Sequence, residues 1–265
     1  MEKEAKFFKD ITKACLIHLA ESLATNRVIK NKNGSEVDVA TAVDVSVENM
    51  IVAEINRTFP NDQVLAEEGY SDTLIEQERV WVIDPICGTT NLSRGITTYC
   101  TNIALVDKGE IIAACVVDYS EKEYIWSVGN GVYTNTGEKL VRKSMGSGVL
   151  AYVDLGCLHQ ATETERNELN AIVAGLTGRK GWMLISLNTS LGNMYVANGK
   201  INVVVNYIYK PWDVCASVFL VRQMGGYAVD YEGNSWTIGD NRLILGLDRE
   251  LVQSVIEVAK STQAI

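Results

Sequence analysis

The chain has 265 residues, 47% of them hydrophobic and 22% charged, which is enough to bury a large core in one domain or in two packed ones. Its formal net charge of −9 argues against nucleic acid or an anionic membrane as a direct partner, because both attract basic surfaces. Six cysteines without a Cys-x-x-Cys pair, and only two histidines, argue against a zinc knuckle, a histidine-based metal site or a catalytic triad. With no apolar signal core and no apolar run of membrane length, we expect a reducing, cytoplasmic location.

Two helices are predicted at the start of the chain. The first covers residues 4–24, where apolar side chains recur at helical spacing. The second begins at Thr41, which forms a capping box with Asp44, and runs to about Thr58. The polar residues 30–38 between them contain an Asn-Gly pair, which predicts a turn or a mobile loop.

Two short strands follow, and each ends in an acid. The first is predicted at Gln63–Ala66 and runs directly into Glu67. The second, at residues 80–83, is predicted to end at Asp84, because Pro85 cannot donate to a sheet ladder. Two strands of one sheet can bring Glu67 and Asp84 to the same edge.

The residues after this second strand read Pro-Ile-Cys-Gly-Thr-Thr-Asn. Gly88 lets the backbone approach a ligand closely, and Thr89-Thr90-Asn91 can cap a following helix. An acid at a strand end can bind a metal ion, and the unpaired N–H groups at the start of the following helix can bind a phosphate.

The remaining elements divide the chain into two parts. Strands near 101–107, 111–118 and 124–128 with turn clusters between them predict an antiparallel meander. The polar segment Arg142–Gly148 is the candidate boundary between an N-terminal α+β domain, residues 1–145, and a C-terminal α/β domain, residues 146–265. In the second part, strands alternate with helices, which favours an α/β layer. The strands are predicted at 149–155, 183–186, 201–205, 227–231 and 243–245, and the helices at 163–176, 189–197, 213–224 and 248–260.

The segment Asp84–Asn91 resembles the signature of the inositol monophosphatase family, Asp-Pro-x-Asp-Gly-Thr-x-Asn. One position departs from that pattern, since Cys87 stands where the family has a metal-ligating aspartate. Ala-Glu-Glu-Gly upstream and Pro-Trp-Asp downstream follow in the family's order, so the resemblance covers nearly the whole chain. It implies a layered sandwich of the α+β or α/β class (αβαβα), a homodimer, and a flexible flap near residues 30–38.

The resemblance also implies a metal site and a catalytic group. The metal ligands would be Glu67, Asp84, Asp213 and the backbone carbonyl of Ile86, with Glu68 as an acid behind them. These oxygen ligands suit Mg²⁺. Catalysis would rest on Thr89, Asp44 and Glu67, with Asp44 holding the hydroxyl of Thr89. From the residues alone, Asp44 is equally a helix-dipole acid. Asp213 taken by itself favours an N-cap, whereas together with Glu67 and Asp84 it favours a metal ligand.

The substrate implied is a small polyol, sugar or inositol phosphate. Asn206 stands where inositol phosphatases often carry a glutamate, so inositol monophosphate is one of several candidates, although a polar residue at a strand end is an equal interpretation. The implied substrate contacts are Cys87, Gly88, Thr89, Asn188, Thr189, Ser190 and Asn206.

Cys87 leaves several outcomes open. A neutral thiol offers little to Mg²⁺, and a thiolate prefers softer ions. The protein could work with fewer metal ions, use Mn²⁺ or Zn²⁺ with a thiolate ligand, or have lost hydrolysis and act as a phosphate-ligand-binding or regulatory protein. A further option is control of the enzyme by oxidation of Cys87.

Overall fold

The computed structural model describes residues 1–23, 28–31, 39–69, 78–142 and 146–262. The predicted polar loop therefore lies outside the described residues over 32–38, and so does part of the predicted boundary, residues 143–145. None of the helices in the described ranges is both long and apolar enough to span a bilayer.

Seven helices and thirteen strands are found in the described ranges. The helices are α1 (Glu2–Ser22), α2 (Ala42–Thr58), α3 (Thr89–Ser93), α4 (Glu163–Thr177), α5 (Leu191–Ala197), α6 (Pro211–Gln223) and α7 (Arg249–Thr262). The strands are β1 (Val28–Asn31), β2 (Val39–Thr41), β3 (Gln63–Ala66), β4 (Val80–Cys87), β5 (Cys100–Asp107), β6 (Glu110–Asp118), β7 (Glu123–Ser127), β8 (Tyr133–Thr134), β9 (Val149–Val153), β10 (Trp182–Ile185), β11 (Val203–Tyr207), β12 (Tyr227–Val229) and β13 (Arg242–Gly246).

The described residues stack in five layers, which confirms the predicted αβαβα sandwich. Helices α1 and α2 cover the outer face of a six-stranded sheet of order β3-β4-β5-β6-β7-β8. Helices α5 and α6 lie between that sheet and a five-stranded sheet of order β10-β9-β11-β13-β12. Helices α4 and α7 cover the far face of the second sheet. The strands from β4 to β8 are antiparallel in sequence order, so the predicted meander is confirmed.

An aromatic cluster anchors the outer helices to the first sheet. Trp81 on β4 is fully buried, and its ring lies 4.8 Å from that of Phe7, 5.9 Å from that of Phe8 and 5.0 Å from that of Phe59. Three rings from α1 and the end of α2 therefore meet one tryptophan, at separations where aromatic pairs add to the burial of apolar surface.

The predicted end of the second strand at Asp84 is wrong. Strand β4 continues through Pro85 to Cys87, and its pairing with β5 shifts register between Asp84 and Cys87. The proline is tolerated because β3, the other neighbour, pairs only up to Ile83, so no ladder bond is required from its nitrogen.

The parallel pairing of β3 and β4 decides where two acids lie. Ala66 is the register partner of Ile83, so Glu67, the first residue after β3, lies beside Asp84, which continues β4. Both face the gap toward the second sheet, where helix α6 begins.

Candidate active site

A cleft of about 390 Å³ lies at this edge and brings together residues from both halves of the chain. Most of the predicted site residues line it. They are Glu67, Asp84, Ile86, Cys87, Gly88, Thr89, Asn188, Thr189, Ser190, Asn206 and Asp213. Asp44 and Glu68 do not line the cleft, although both lie behind its wall.

Three candidate ligands converge in the cleft. One carboxylate oxygen of Asp84, one of Asp213 and the sulfur of Cys87 all lie within 4.8 Å of one another. Asp84 is only 1% exposed, and its Oδ1 has no hydrogen-bond partner. Burial, and then the charges of Cys87, Glu67 and Asp213, raise the pKa of Asp84 well above its ordinary value. A buried carboxylate oxygen without a partner, beside two further acids, fits a divalent cation.

The oxygen donors and the sulfur donor do not fit the same ion. Glu67, Asp84 and Asp213 suit Mg²⁺, which prefers carboxylates and retained water in octahedral geometry. The sulfur of Cys87 does not suit Mg²⁺, because a thiol or thiolate is a poor ligand for hard ions. The site therefore fits Mg²⁺ only at the positions that Cys87 does not reach.

Asp213 is not an N-cap. Helix α6 begins at Pro211, with Lys210 as the N-cap residue, so Asp213 is the third residue of the helix. Its Oδ2 accepts a hydrogen bond from the Lys210 backbone N–H at 2.7 Å. This contact fixes the carboxylate at the first turn and orients it toward the cleft.

Cys87 is held between the two halves of the chain. Its sulfur accepts a hydrogen bond from the Ser190 backbone N–H at 3.0 Å, and its carbonyl accepts one from the Thr189 hydroxyl at 2.8 Å. The neighbouring thiol of Cys100, its register partner on β5, and burial together raise the pKa of Cys87 well above its ordinary value. Without a metal ion, Cys87 is therefore a neutral thiol at pH 7.

The hydroxyl of Thr89 is bound to Asp44, as the resemblance implies. Thr89 Oγ1 lies 2.5 Å from Asp44 Oδ1 and 2.9 Å from the Ile86 carbonyl oxygen. The other oxygen of Asp44 accepts from the Thr41 backbone N–H at 2.9 Å and from the Thr41 hydroxyl, so the predicted capping box is confirmed. Burial raises the pKa of Asp44, while the bonds from Thr41 and Thr89 oppose that rise.

The predicted capping role of Thr89-Thr90-Asn91 is wrong. Gly88 is the N-cap residue, and the three following residues lie inside the short helix α3. The φ of Gly88 is +102°, and an added Cβ would lie 3.1 Å from the Thr98 carbonyl oxygen and 3.1 Å from Thr189 Cβ. Backbone conformation and close packing therefore require glycine here, whether or not a ligand approaches it.

The segment 188–190 is held by side chains from both sheets, Tyr152 on β9 and Asn102 on β5. The Tyr152 hydroxyl donates to the Thr189 carbonyl oxygen at 2.8 Å, and Asn102 Nδ2 donates to Ser190 Oγ at 2.7 Å. Asn188 has a φ of +53°, in the left-handed region that asparagine tolerates better than most residues. These contacts hold the segment rigidly against Cys87.

Asn206 belongs to a buried amide pair. Its Nδ2 donates to Asn193 Oδ1 at 2.9 Å, and both side chains line the cleft. Asn193 is 1% exposed and its Nδ2 has no hydrogen-bond partner. The pair therefore offers an unused amide donor to whatever occupies this side of the cleft.

Sequence reasoning missed several residues of the cleft wall and also Glu48, which supports the wall without lining it. Glu48 on α2 accepts from the Glu68 backbone N–H at 2.8 Å and so holds the turn that follows β3. Asn193 lies within a helix of apolar neighbours, where nothing in the pattern separates it from a packing residue. The part of the wall that was missed consists of Thr90, Asp154, Leu155, Gly156, Cys157, His159, Asn193, Ile208, Tyr209 and Val214.

His159 lines the cleft, although the presence of only two histidines argued against a histidine-based metal site. His159 ends a short 3₁₀ turn, Gly156–His159, and its Nδ1 lies 2.5 Å from the Gly156 carbonyl oxygen. Its Nε2 lies 3.0 Å from Gln160 Nε2. Both ring nitrogens therefore have partners in the turn or directly after it.

Comparison with known proteins agrees with the fold and the motifs. The model of the inositol monophosphatase family matches residues 1–264, and the chain belongs to that family. The fructose-1,6-bisphosphatase/inositol-1-monophosphatase of Thermotoga maritima is 27% identical over 88% of each chain. Nus factor SuhB of Xylella fastidiosa is 33% identical over 82% of this chain and 77% of its own.

Solved structures show the same fold. A Thermotoga maritima IMPase superposes with a TM-score of 0.81 at 24% identity, covering 99% of this chain and 100% of its own. An IMPase/NADP phosphatase complexed with Mg²⁺ and phosphate superposes with a TM-score of 0.77 at 20% identity, covering 96% and 92%.

Proposed function

We propose that this protein is a metal-dependent phosphomonoesterase that hydrolyses a small polyol, sugar or inositol phosphate with water as the nucleophile. The observation that carries the proposal is the convergence of Glu67, Asp84 and Asp213 on one cleft, beside a Thr89 hydroxyl bound to Asp44. Membership of the inositol monophosphatase family, and the activities named for its bisphosphatase/monophosphatase relative, support it.

The metal ligands we propose are Glu67, Asp84, Asp213 and the Ile86 carbonyl, with Mg²⁺ as the ion at the all-oxygen position. The chemistry that divalent cations supply when bound is activation of water and stabilisation of charge at the leaving oxygen. Glu68 acts indirectly, since its backbone is held by Glu48 at the turn that presents Glu67.

Thr89 would orient the attacking water. Because its hydroxyl proton is directed to Asp44, the lone pairs of Thr89 Oγ1 remain to accept a hydrogen bond from water. The water molecule is then held with its own lone pair toward phosphorus, which is the contribution of positioning to a phosphoryl transfer. The backbone of Gly88 and Thr89 forms the turn against which we place the phosphate oxygens.

The non-reacting part of the substrate would lie against Asn188, Ser190 and the Asn193–Asn206 pair. The unused Nδ2 of Asn193 is a hydrogen-bond donor, and Asn206 keeps its Oδ1 as an acceptor, so the pair can bind neighbouring hydroxyl groups. This favours a hydroxyl-rich substrate over an apolar one. A homodimer and a cytoplasmic location, both expected above, stay predictions.

The test is release of inorganic phosphate from a panel of polyol, sugar, inositol and nucleotide monophosphates, with Mg²⁺, Mn²⁺ and Zn²⁺ supplied in turn. We expect metal-dependent turnover of at least one hydroxyl-rich monophosphate, abolished in Asp84→Asn. Absence of turnover with every ion across the panel would contradict the proposal.

A second candidate is a phosphate-ligand-binding or regulatory protein without hydrolysis. Cys87 favours it, because a thiol stands in the cluster where the family has a metal-ligating carboxylate. The similarity to a protein named as a Nus factor, SuhB, also supports it. In this case a monophosphate would raise the melting temperature of the protein while no phosphate is released.

A further inference from the structure

The sulfur of Cys87 lies at a position where a ligand is needed. The sulfur, one oxygen of Asp84 and one oxygen of Asp213 all lie within 4.8 Å of one another. Independently of the sulfur, Asp84 Oδ1 is buried, has no hydrogen-bond partner and lines the same cleft. An ionised carboxylate oxygen in this condition needs a positive partner, and among the described residues that line the cleft His159 is the only one with a basic side chain.

The sulfur of Cys87 also accepts a backbone hydrogen bond, which holds it in place. The Ser190 N–H points at it from 3.0 Å, and the Thr189 hydroxyl holds the Cys87 carbonyl at 2.8 Å, so the side chain cannot easily turn away. Backbone N–H donors to sulfur stabilise the anionic form of a cysteine ligand, and such outer contacts orient ligands in metal sites.

We propose that Asp84, Cys87 and Asp213 form a carboxylate–thiolate site for a thiophilic divalent ion of the Zn²⁺ class, in preference to Mg²⁺. The proposal rests on the proposed function in that it names the ion of one position in the same cleft. On binding, the thiol proton of Cys87 passes to solvent and a sulfur–metal bond forms, without any change of oxidation state.

The donor set explains the selectivity. Thiolate ligands select Zn²⁺ and related ions, while Mg²⁺ is bound through oxygen and keeps several waters. Three protein ligands with a position open to the cleft is the arrangement of catalytic zinc sites, whereas structural zinc sites are closed by a fourth protein ligand.

The experiment uses Co²⁺, a spectroscopic substitute for Zn²⁺, added to the chelator-treated full chain. A Co²⁺–thiolate bond gives a sulfur-to-metal charge-transfer band in the near ultraviolet, so the readout does not depend on activity. We compare wild type, Cys87→Ser, and the matched control Cys157→Ser, which removes another half-buried thiol of the same cleft.

We expect the band in wild type and in Cys157→Ser, its absence in Cys87→Ser, and its loss when Zn²⁺ but not excess Mg²⁺ is added. The affinity for Zn²⁺ should fall at least about tenfold in Cys87→Ser. This is the smallest loss usual when a residue that only supports a ligand is mutated, and Cys87 is itself a proposed ligand. No Co²⁺ binding, binding without the band, a band that persists in Cys87→Ser, or displacement by Mg²⁺ would each overturn the proposal.

A second measurement on wild type protects the test against misfolding of the variant. Alkylation of Cys87 by iodoacetamide, followed by peptide mass spectrometry, should be suppressed by Zn²⁺ and not by Mg²⁺, while labelling of Cys157 stays unchanged. Equal labelling of Cys87 with and without Zn²⁺ would contradict the proposal. Phosphate release with Mg²⁺ and no Co²⁺–thiolate band would reject this inference while leaving the proposed function intact.

Discussion

Thr89 and Asp44 are 45 residues apart in the chain, yet the hydroxyl of one lies 2.5 Å from the carboxylate of the other. The contact joins the start of α3 to the start of α2, and both side chains are buried. Asp44 therefore serves two purposes at once, because one oxygen caps its own helix and the other holds Thr89.

We expect Thr89→Val to lower kcat about 10²- to 10⁴-fold, the usual range for a lost proton-handling group, with little change in KM. Valine has the shape of threonine without the hydroxyl, so packing around α3 is preserved. Thr89→Ser keeps the hydroxyl and is the matched control, with most of the activity retained. Steady-state kinetics of phosphate release measures both, and equal activity of the valine and serine variants would refute the role.

Replacing Cys87 by aspartate should change the preferred ion. The variant Cys87→Asp supplies an oxygen where the thiol lies, so we expect higher phosphate release with Mg²⁺ and weaker Zn²⁺ binding. Cys157→Asp adds the same charge to another part of the cleft wall and should show neither effect. A loss of activity with both ions in Cys87→Asp would mean that the thiol itself is required.

Cys87 and Cys100 are direct cross-strand partners, which predicts a disulfide under oxidation. Hydrogen peroxide takes two electrons and two protons from the pair and leaves as two waters, while a sulfur–sulfur bond forms. Because the pKa of Cys87 is raised, cross-linking should be slow at pH 7 and faster at alkaline pH. Mass spectrometry should find the cross-linked peptide in wild type and in Cys157→Ser, and not in Cys100→Ala. Its absence from peroxide-treated wild type would refute the prediction.

Glu4 predicts a loss of stability in acid. Burial raises its pKa, but hydrogen bonds, including one from Arg79 at 3.0 Å, outweigh that effect and hold the pKa below its ordinary value. A lowered folded-state pKa stabilises the protein above about pH 4.5, and the contribution is lost as pH falls through the folded value.

We therefore expect Glu4→Gln to lower the free energy of unfolding at pH 7 by about 1.5–3 kcal/mol, the range for a charged hydrogen bond. The gap between variant and wild type should close as pH falls through the folded pKa. Urea melts across this range measure it. Asp10→Asn on the exposed side of the same helix is the control, and its effect should be small at every pH. A gap that is independent of pH would contradict the assignment.

Gly192 packs against Tyr152, a residue that positions Thr189 in the wall of the cleft. An added Cβ would lie 2.8 Å from the ring of Tyr152, whose hydroxyl holds the Thr189 carbonyl. We expect Gly192→Ala to destabilise the protein by about 1–3 kcal/mol through overpacking, and to raise KM by displacing Thr189. Gly146→Ala, which meets no heavy atom within 4 Å, should change neither the melting temperature nor KM. Unchanged stability in Gly192→Ala would mean that the Tyr152 ring moves freely.

The sequence by itself predicted the capping box at Thr41 and, through its resemblance to a known family, the layered fold and about half of the residues that line the cleft. These are local patterns: apolar spacing, turn residues, and short motifs whose chemistry is legible residue by residue. The strand end at Asp84, the capping role of Thr89 and the alternative interpretation of Asp213 as an N-cap were wrong. Each depends on where a strand ends or a helix begins, which the packing of neighbouring elements decides.

Only the tertiary structure decided which groups meet. The parallel register of β3 and β4 sets Glu67 beside Asp84, and the segment at Ser190 reaches Cys87 across 103 residues of chain. Asn193 and the turn at His159 joined the cleft without any signal in the pattern. Contacts between distant segments depend on how whole layers pack, and that information is spread over the entire core rather than held in any one motif.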